Sequence, residues 1–150
     1  MSGEITNGQL RQRRLDRVLT TWARLFRVSR NFAKRAAEPL MQADLSGPQF
    51  YLLQVIGSDE GHNQQEYADK MAVTKGNICQ HIDKLERRGL LYRESHGKEK
   101  QLYLANSGRL IMGAIVPEHD KIVKDIFAAL TEQEVKTLST LLNKLMKRSR

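Results

Sequence analysis

The spacing of apolar positions divides the chain into helical stretches around one short region of strand-like alternation. Between Leu10 and Ala37, the residues Leu15, Val18, Leu19, Trp22, Leu25, Phe26, Ser29, Phe32, Ala33 and Ala36 recur at three- and four-residue steps, which predicts one long amphipathic helix. The stripe is longer than a compact domain can cover by itself, so a second subunit is expected against it. Pro39 ends the run, and residues 1–9, polar with two glycines, read as frayed. At Ser46 a capping box with Gln49, and Pro48 in the first turn, opens a helix carrying Phe50, Leu53, Val55 and Ile56; a loop from Gly57 to Gly61 is expected to end it.

Residues 62–104 hold the densest set of signals. Asn63 and Glu66 make a second capping box and predict a helix over 64–71, with Tyr67, Ala68 and Met71 on its apolar side. Val73 interrupts, Thr74 offers a fresh cap, and a second helix follows over 75–88, where Ile78, Ile82 and Leu85 form one narrow stripe. Gly89 suits the left-handed residue that closes a helix, and Arg87 and Arg88 sit well against its carbonyl end. Two helices joined by so short a turn form a helix-turn-helix, whose second member has the diameter to enter a DNA major groove. Leu90 to Ser95 and Lys100 to Ala105 then alternate like strands around His96-Gly97-Lys98, which has turn chemistry, so a hairpin wing is expected.

Beyond the wing, Asn106 is the expected cap of a helix through Ile111, Ile115, Ile122, Val123, Ile126, Phe127 and Leu130, kinked or broken near Val116 by Pro117. Thr131 with Glu134 caps a last helix, in which Val135, Leu138, Leu141, Leu142, Leu145 and Met146 step round like a coiled-coil seam. The fold class is mainly α with a small β-hairpin: a winged helix-turn-helix over 46–105, flanked by dimerisation helices over 10–37 and 107–150.

The outward side of the 75–88 helix carries Lys75, Asn77, Gln80, Lys84 and Arg88. Asn and Gln match adenine edges and Lys matches guanine, while Thr74 and the free amides at the helix start suit a phosphate oxygen. His81 flanks the apolar stripe and suits packing, phosphate or base contact. Lys98 and Lys100 supply cations at the wing. Double-stranded DNA is the partner these types imply, although each also suits a solvated helix face.

At this point the stretch resembles the winged helix of the MarR family of bacterial and archaeal transcription regulators. The resemblance is carried by Asp83-Lys84-Leu85-Glu86, by Gly89-Leu90-Leu91, by Leu102-Tyr103-Leu104 before Asn106-Ser107-Gly108, and by Leu45-Ser46-x-x-Gln49. It covers most of the chain. It implies a homodimeric regulator, in which Asp83 pairs with a wing cation. It also implies a small aromatic or anionic effector between the dimerisation helices and the DNA-binding lobe, where Trp22, Phe26 and Phe50 are the candidate lining residues. A twofold protein would read a palindromic operator with half-sites ~10 bp apart. The family's wing usually carries an Asp-x-Arg or Asp-Arg-Arg group, where this chain reads His96-Gly97-Lys98-Glu99-Lys100, so Lys98 or Lys100 stands in for the minor-groove arginine.

Charge adds a constraint. The 25 Lys and Arg against 17 Asp and Glu give +8, which favours polyanionic partners. Yet residues 45–96 sum to −1, so a basic footprint has to come from one helix face, the wing and the first helix. Arg11, Arg13, Arg14 and Arg17 crowd the start of that helix, as a solvated surface or as phosphate contacts.

No apolar run approaches the ~20 residues of a membrane span, and MSGEITNGQL lacks the apolar core of a signal peptide, so a cytoplasmic location is expected. The single cysteine, Cys79, excludes an internal disulfide. Standing on the candidate recognition helix near Lys75, it keeps a redox-controlled regulator open as an alternative. Cys79-x-His81 points its side chains to different helix faces, so no metal or other cofactor is expected. The motifs of nucleotide binding and of hydrolytic catalysis are missing, so an enzyme is not expected. A helical protein-interaction module that uses its amphipathic ends is the remaining alternative.

Overall fold

The structure is a computed structural model and describes residues 6–148. The chain divides into two units, one up to Arg35 and one from Ala36 onward.

The described part of the first unit is helix α1 (Asn7–Ala36) up to its last residue, and the helix begins three residues earlier than its apolar spacing predicts. Thr6 and Gln9 cap it reciprocally, the Thr6 amide donating to the Gln9 side chain at 3.0 Å. The expectation of fraying therefore fails from Asn7 on, and residues 1–5 lie outside the described residues. None of its residues is buried.

The second unit runs α2 (Glu38–Gln42), α3 (Gly47–Ser58), β1 (His62–Asn63), α4 (Gln64–Met71), α5 (Lys75–Arg87), β2 (Leu91–His96), β3 (Glu99–Leu104), α6 (Asn106–Phe127) and α7 (Glu132–Arg148). Pro39, expected only to stop a helix, sits in the first turn of the short α2. The Ser46/Gln49 capping box opens α3 as expected. That helix continues through Gly57 and Ser58, however, instead of ending before them. Gly57 lies close under Leu104: a Cβ at 57 would stand 2.9 Å from the end of that side chain, which would have to shift.

The core collects Phe50, Leu52, Leu53 and Ile56 of α3, Tyr67 and Ala68 of α4, and Ile78, Ile82 and Leu85 of α5. Leu90, Leu91, Leu102 and Leu104 from the wing, with Met112 and Ile115 of α6, close it. The sheet has three strands in the order β1-β3-β2, all antiparallel. The extra strand β1 was not legible as one, because its two residues pair only with Leu102 and Gln101 across the sheet. The hairpin turn is tighter than expected: His96 pairs with Glu99, leaving Gly97 and Lys98 as a two-residue loop. Gly97 takes φ +64, the first-position conformation that such a primed turn requires.

Helix α6 corrects the expected Asn106 cap and the alternative of a break at Pro117. Its cap is Ala105, without a side-chain hydrogen bond, and Asn106 is already helical. The helix also runs unbroken across Pro117. Near its start, a Cβ on Gly108 would collide with the Leu90 carbonyl oxygen, so only glycine lets α6 pack this closely on the segment after α5. The Thr131/Glu134 pair caps α7, with the Thr131 amide donating to Glu134 at 2.8 Å. No helix among the described residues is long and apolar enough to cross a membrane.

Candidate nucleic-acid interface

The turn between α4 and α5 is built from local chemistry. Asn63 accepts from the Glu66 amide at 3.0 Å and the Glu66 carboxylate accepts from the Asn63 amide at 2.7 Å, closing the box that starts α4. Ala72 ends α4 in the left-handed conformation, with φ +53. Two residues later the Thr74 hydroxyl accepts from the Asn77 amide at 3.3 Å and starts α5. At the other end Gly89 takes φ +70, its amide donating to the Glu86 carbonyl at 2.8 Å.

The loop before α4 is fastened from several sides. The Tyr67 hydroxyl donates to the Asp59 carbonyl at 2.7 Å, and burial pushes this phenol up to about 12. Hydrogen bonds from Lys70 and then His62 hold the Asp59 carboxyl below its ordinary value. Burial works to raise the Glu60 carboxyl, but the Arg109 guanidinium and the Leu104 amide outweigh it and bring it below the ordinary value. The helix-turn-helix is thus pinned to β3 and α6 through one carboxylate.

On α5 the apolar side is fully committed: Ile78, Ile82 and Leu85 are buried. Thr74, Lys75, Asn77, Gln80 and Lys84 are exposed. His81 is half-buried, and its Nδ1 is buried without a hydrogen-bond partner. With Met41, Ser46, Gln49, Lys84 and Arg87, it borders an open cleft of about 770 Å³ beside α5.

Lys98 occupies the hairpin loop, and Lys100 stands opposite Ser95 on β3; both are exposed. Trp22 and Phe26 are 65% and 60% exposed on α1. Phe50 is 3% exposed and packs its ring against His119, the centroids 4.6 Å apart. Cys79 is half-buried, and its thiol donates to Asp83 at 3.7 Å. Among the described residues no group of three His, Cys, Asp or Glu could hold a metal ion.

Two arginines missed as functional candidates tie these parts together. Arg93 of β2 donates to Asp83 at 2.7 Å and also to Glu86, both on α5. Its direction was readable, because Arg93 shares a strand face with the apolar Leu91 and that face must turn inward. Arg88, expected on the outward face, is exposed and in addition donates to the carbonyls of Asp44 and Ala43 at 2.6 and 2.7 Å.

A capped helix presenting amides and cations, backed by a second helix and flanked by a strand-built basic hairpin, defines a winged helix-turn-helix. The MarR family model matches residues 43–101. An HTH-type transcriptional regulator of Bacillus cereus is 31% identical over 129 residues, which cover 85% of this chain and 88% of the relative. The chain belongs to the MarR family of winged-helix transcription regulators, which are not enzymes. Solved structures agree on the fold. A cysteine-to-serine variant of MarR from Escherichia coli in complex with operator DNA superposes with a TM-score of 0.78 at 20% identity, over 87% of this chain and 96% of that one. The Staphylococcus aureus MepR–DNA complex gives 0.76 at 23% identity, over 85% and 97%.

Proposed function

We propose that this DNA-binding regulator acts as a homodimeric, cytoplasmic repressor that reads a palindromic operator and is released by a small aromatic or anionic effector. In this reading residues 46–105 are the DNA-binding lobe, and 10–37 and 107–150 supply the dimerisation helices. Helix α5 enters the major groove. Asn77, Gln80 and Lys84 meet base edges, Thr74, Lys75 and His81 meet phosphates or bases, and the hairpin with Lys98 and Lys100 lies beside or in the minor groove.

The observation that carries the reading is the division of α5, with Ile78, Ile82 and Leu85 buried while Asn77, Gln80 and Lys84 face solvent. A groove-reading helix needs that division. The operator-bound MarR and DNA-bound MepR structures share the fold and support this use of it. Dimerisation is supported by the uncovered stripe of α1, where Leu15, Val18, Leu19, Trp22 and Phe26 are all exposed.

Effector control is supported by an apolar pocket of about 420 Å³ between α3, α6 and β3. Its walls include Leu53, Leu104 and Met112, and its polar lining is Gln54 and Arg109, the latter paired with Glu60. Trp22 and Phe26 are the exposed aromatic candidates on α1, and Phe50 is buried in the core. An effector need only bind one spacing of the two α5 helices better than the other.

Equilibrium binding to a 24-bp duplex, selected by the protein from a randomised library, tests the proposal. Two chains per duplex and a steep fall of log K with log salt are expected. Weak binding that ignores salt would leave a helical interaction module instead.

A further inference from the structure

Helices α2 and α5 end in the same way, and their ends meet. In α2 the Leu45 amide reaches back to the Leu40 carbonyl at 3.0 Å, with Asp44 left-handed at φ +51. In α5 the Leu90 amide reaches back to the Leu85 carbonyl, also at 3.0 Å, with Gly89 left-handed. These closures leave the Ala43 and Asp44 carbonyls pointing out of α2, at the negative end of its dipole. The Arg88 guanidinium receives both, at 2.7 and 2.6 Å.

We propose that Arg88 is a positioning residue: its forked grip on the Ala43 and Asp44 carbonyls fixes the angle at which α5 is presented to DNA. The idea rests on the DNA-binding reading above.

The anchor is firm because α2 is itself buried through Pro39 and Leu40, and Leu45 beside it is in the core. The other supports of the α5 end lie elsewhere. Ser107 donates to the Gly89 carbonyl, the Ala105 amide donates to Leu90, and Arg93 reaches α5 from the wing. Arg88 alone among these ties α5 to α2. Both terminal nitrogens are engaged with backbone carbonyls, which fixes the guanidinium although the side chain is exposed.

Leverage makes the contact matter for sequence reading. The 13 residues of α5 span about 20 Å, and a tilt of about 10° from the Arg88 end moves the first turn by about 3 Å. Hydrogen bonds to base edges tolerate a few tenths of an ångström, whereas flexible lysines can follow a phosphate. Loosening Arg88 should therefore cost discrimination before it costs affinity for DNA in general.

The test compares the parent chain with Arg88→Ala and Arg88→Lys on the selected 24-bp duplex and on a scrambled duplex of equal composition. Binding is measured across a salt series well below the unfolding temperature of each variant. For Arg88→Ala the ratio of selected to scrambled affinity is expected to fall by about tenfold or more, with the salt slope unchanged. Arg88→Lys keeps the charge but not the fork, so an intermediate ratio is expected. If Arg88→Ala does not fold, an unaltered ratio in Arg88→Lys overturns the proposal by itself. Equal loss on both duplexes, with the slope shallower by about 0.9, would make Arg88 a phosphate contact and also overturn it. A ratio that stays at the parent value does the same. If the parent selects no duplex, the DNA-binding reading fails and takes the positioning role with it; if only the Arg88 variants behave like the parent, the positioning role alone is lost.

Discussion

The Arg93 guanidinium on β2 donates to the Asp83 carboxylate on α5 at 2.7 Å, so the wing and the second helix of the helix-turn-helix are joined by a charged link at the base of the hairpin. The hydrogen bond from Arg93 holds the Asp83 carboxyl below its ordinary 3.8. A lowered carboxyl stabilises the fold fully above the ordinary value and loses that contribution as pH falls through the lowered one. Asp83→Asn is therefore expected to flatten the dependence of Tm on pH below 3.8. Because both partners are partly solvated, the cost at neutral pH should be at most a few degrees. Calorimetry over an acid pH series reads this directly.

Gly108 leaves no room for a side chain beneath α6, because a Cβ would collide with the Leu90 carbonyl oxygen. A backbone atom cannot swing aside as a side-chain end can. Gly108→Ala should cost about 3 kcal/mol and lower Tm by roughly 10 °C. Thermal unfolding followed by circular dichroism is the check, and an unchanged Tm would mean that α6 can slide outward freely.

These two contacts also mark how far the sequence was legible. The boxes at Ser46/Gln49, Asn63/Glu66 and Thr131/Glu134, the Thr74 cap and the Gly89 stop are all closed within three or four residues. Their outcome depends on little beyond neighbouring side chains, and the structure contains each of them. The α5 stripe followed for the same reason. What local reading missed is set by distant partners: β1 exists only because Leu102 and Gln101 lie beside it. Arg88 is exposed as expected, but its partners, Ala43 and Asp44, lie more than forty residues away in sequence and are not readable locally. Phe50 is buried on the apolar side of α3 as its spacing indicates, while its ring partner His119 on α6 lies too far along the chain to be read locally.

The Cys79 thiol donates to Asp83. A thiolate could not make that bond and would face the carboxylate with like charge. Cys79→Ser is accordingly expected to bind and release duplex DNA as the parent does, with or without peroxide. Loss of oxidant-triggered release in the serine variant alone would restore the redox reading.

Lys98 stands in the wing loop, exposed, where it can meet a phosphate but has no fixed geometry for reading bases. Lys98→Ala should weaken selected and scrambled duplexes alike and make the salt slope shallower by about 0.9. Anisotropy titrations at four or five salt concentrations suffice. A loss confined to the selected duplex would give Lys98 the base-reading role instead.

The account stands on α5 reading base edges through its exposed side. The most direct measurement is a fresh selection from randomised duplexes by a chain carrying both Asn77→Ala and Gln80→Ala. The buried Ile78, Ile82 and Leu85 are untouched by these changes, so the fold should persist. The expected result is that scrambled-duplex affinity is retained while the parent's preferred sequence is no longer enriched at the positions those two side chains read. Enrichment of the same sequence by the double variant would contradict the account.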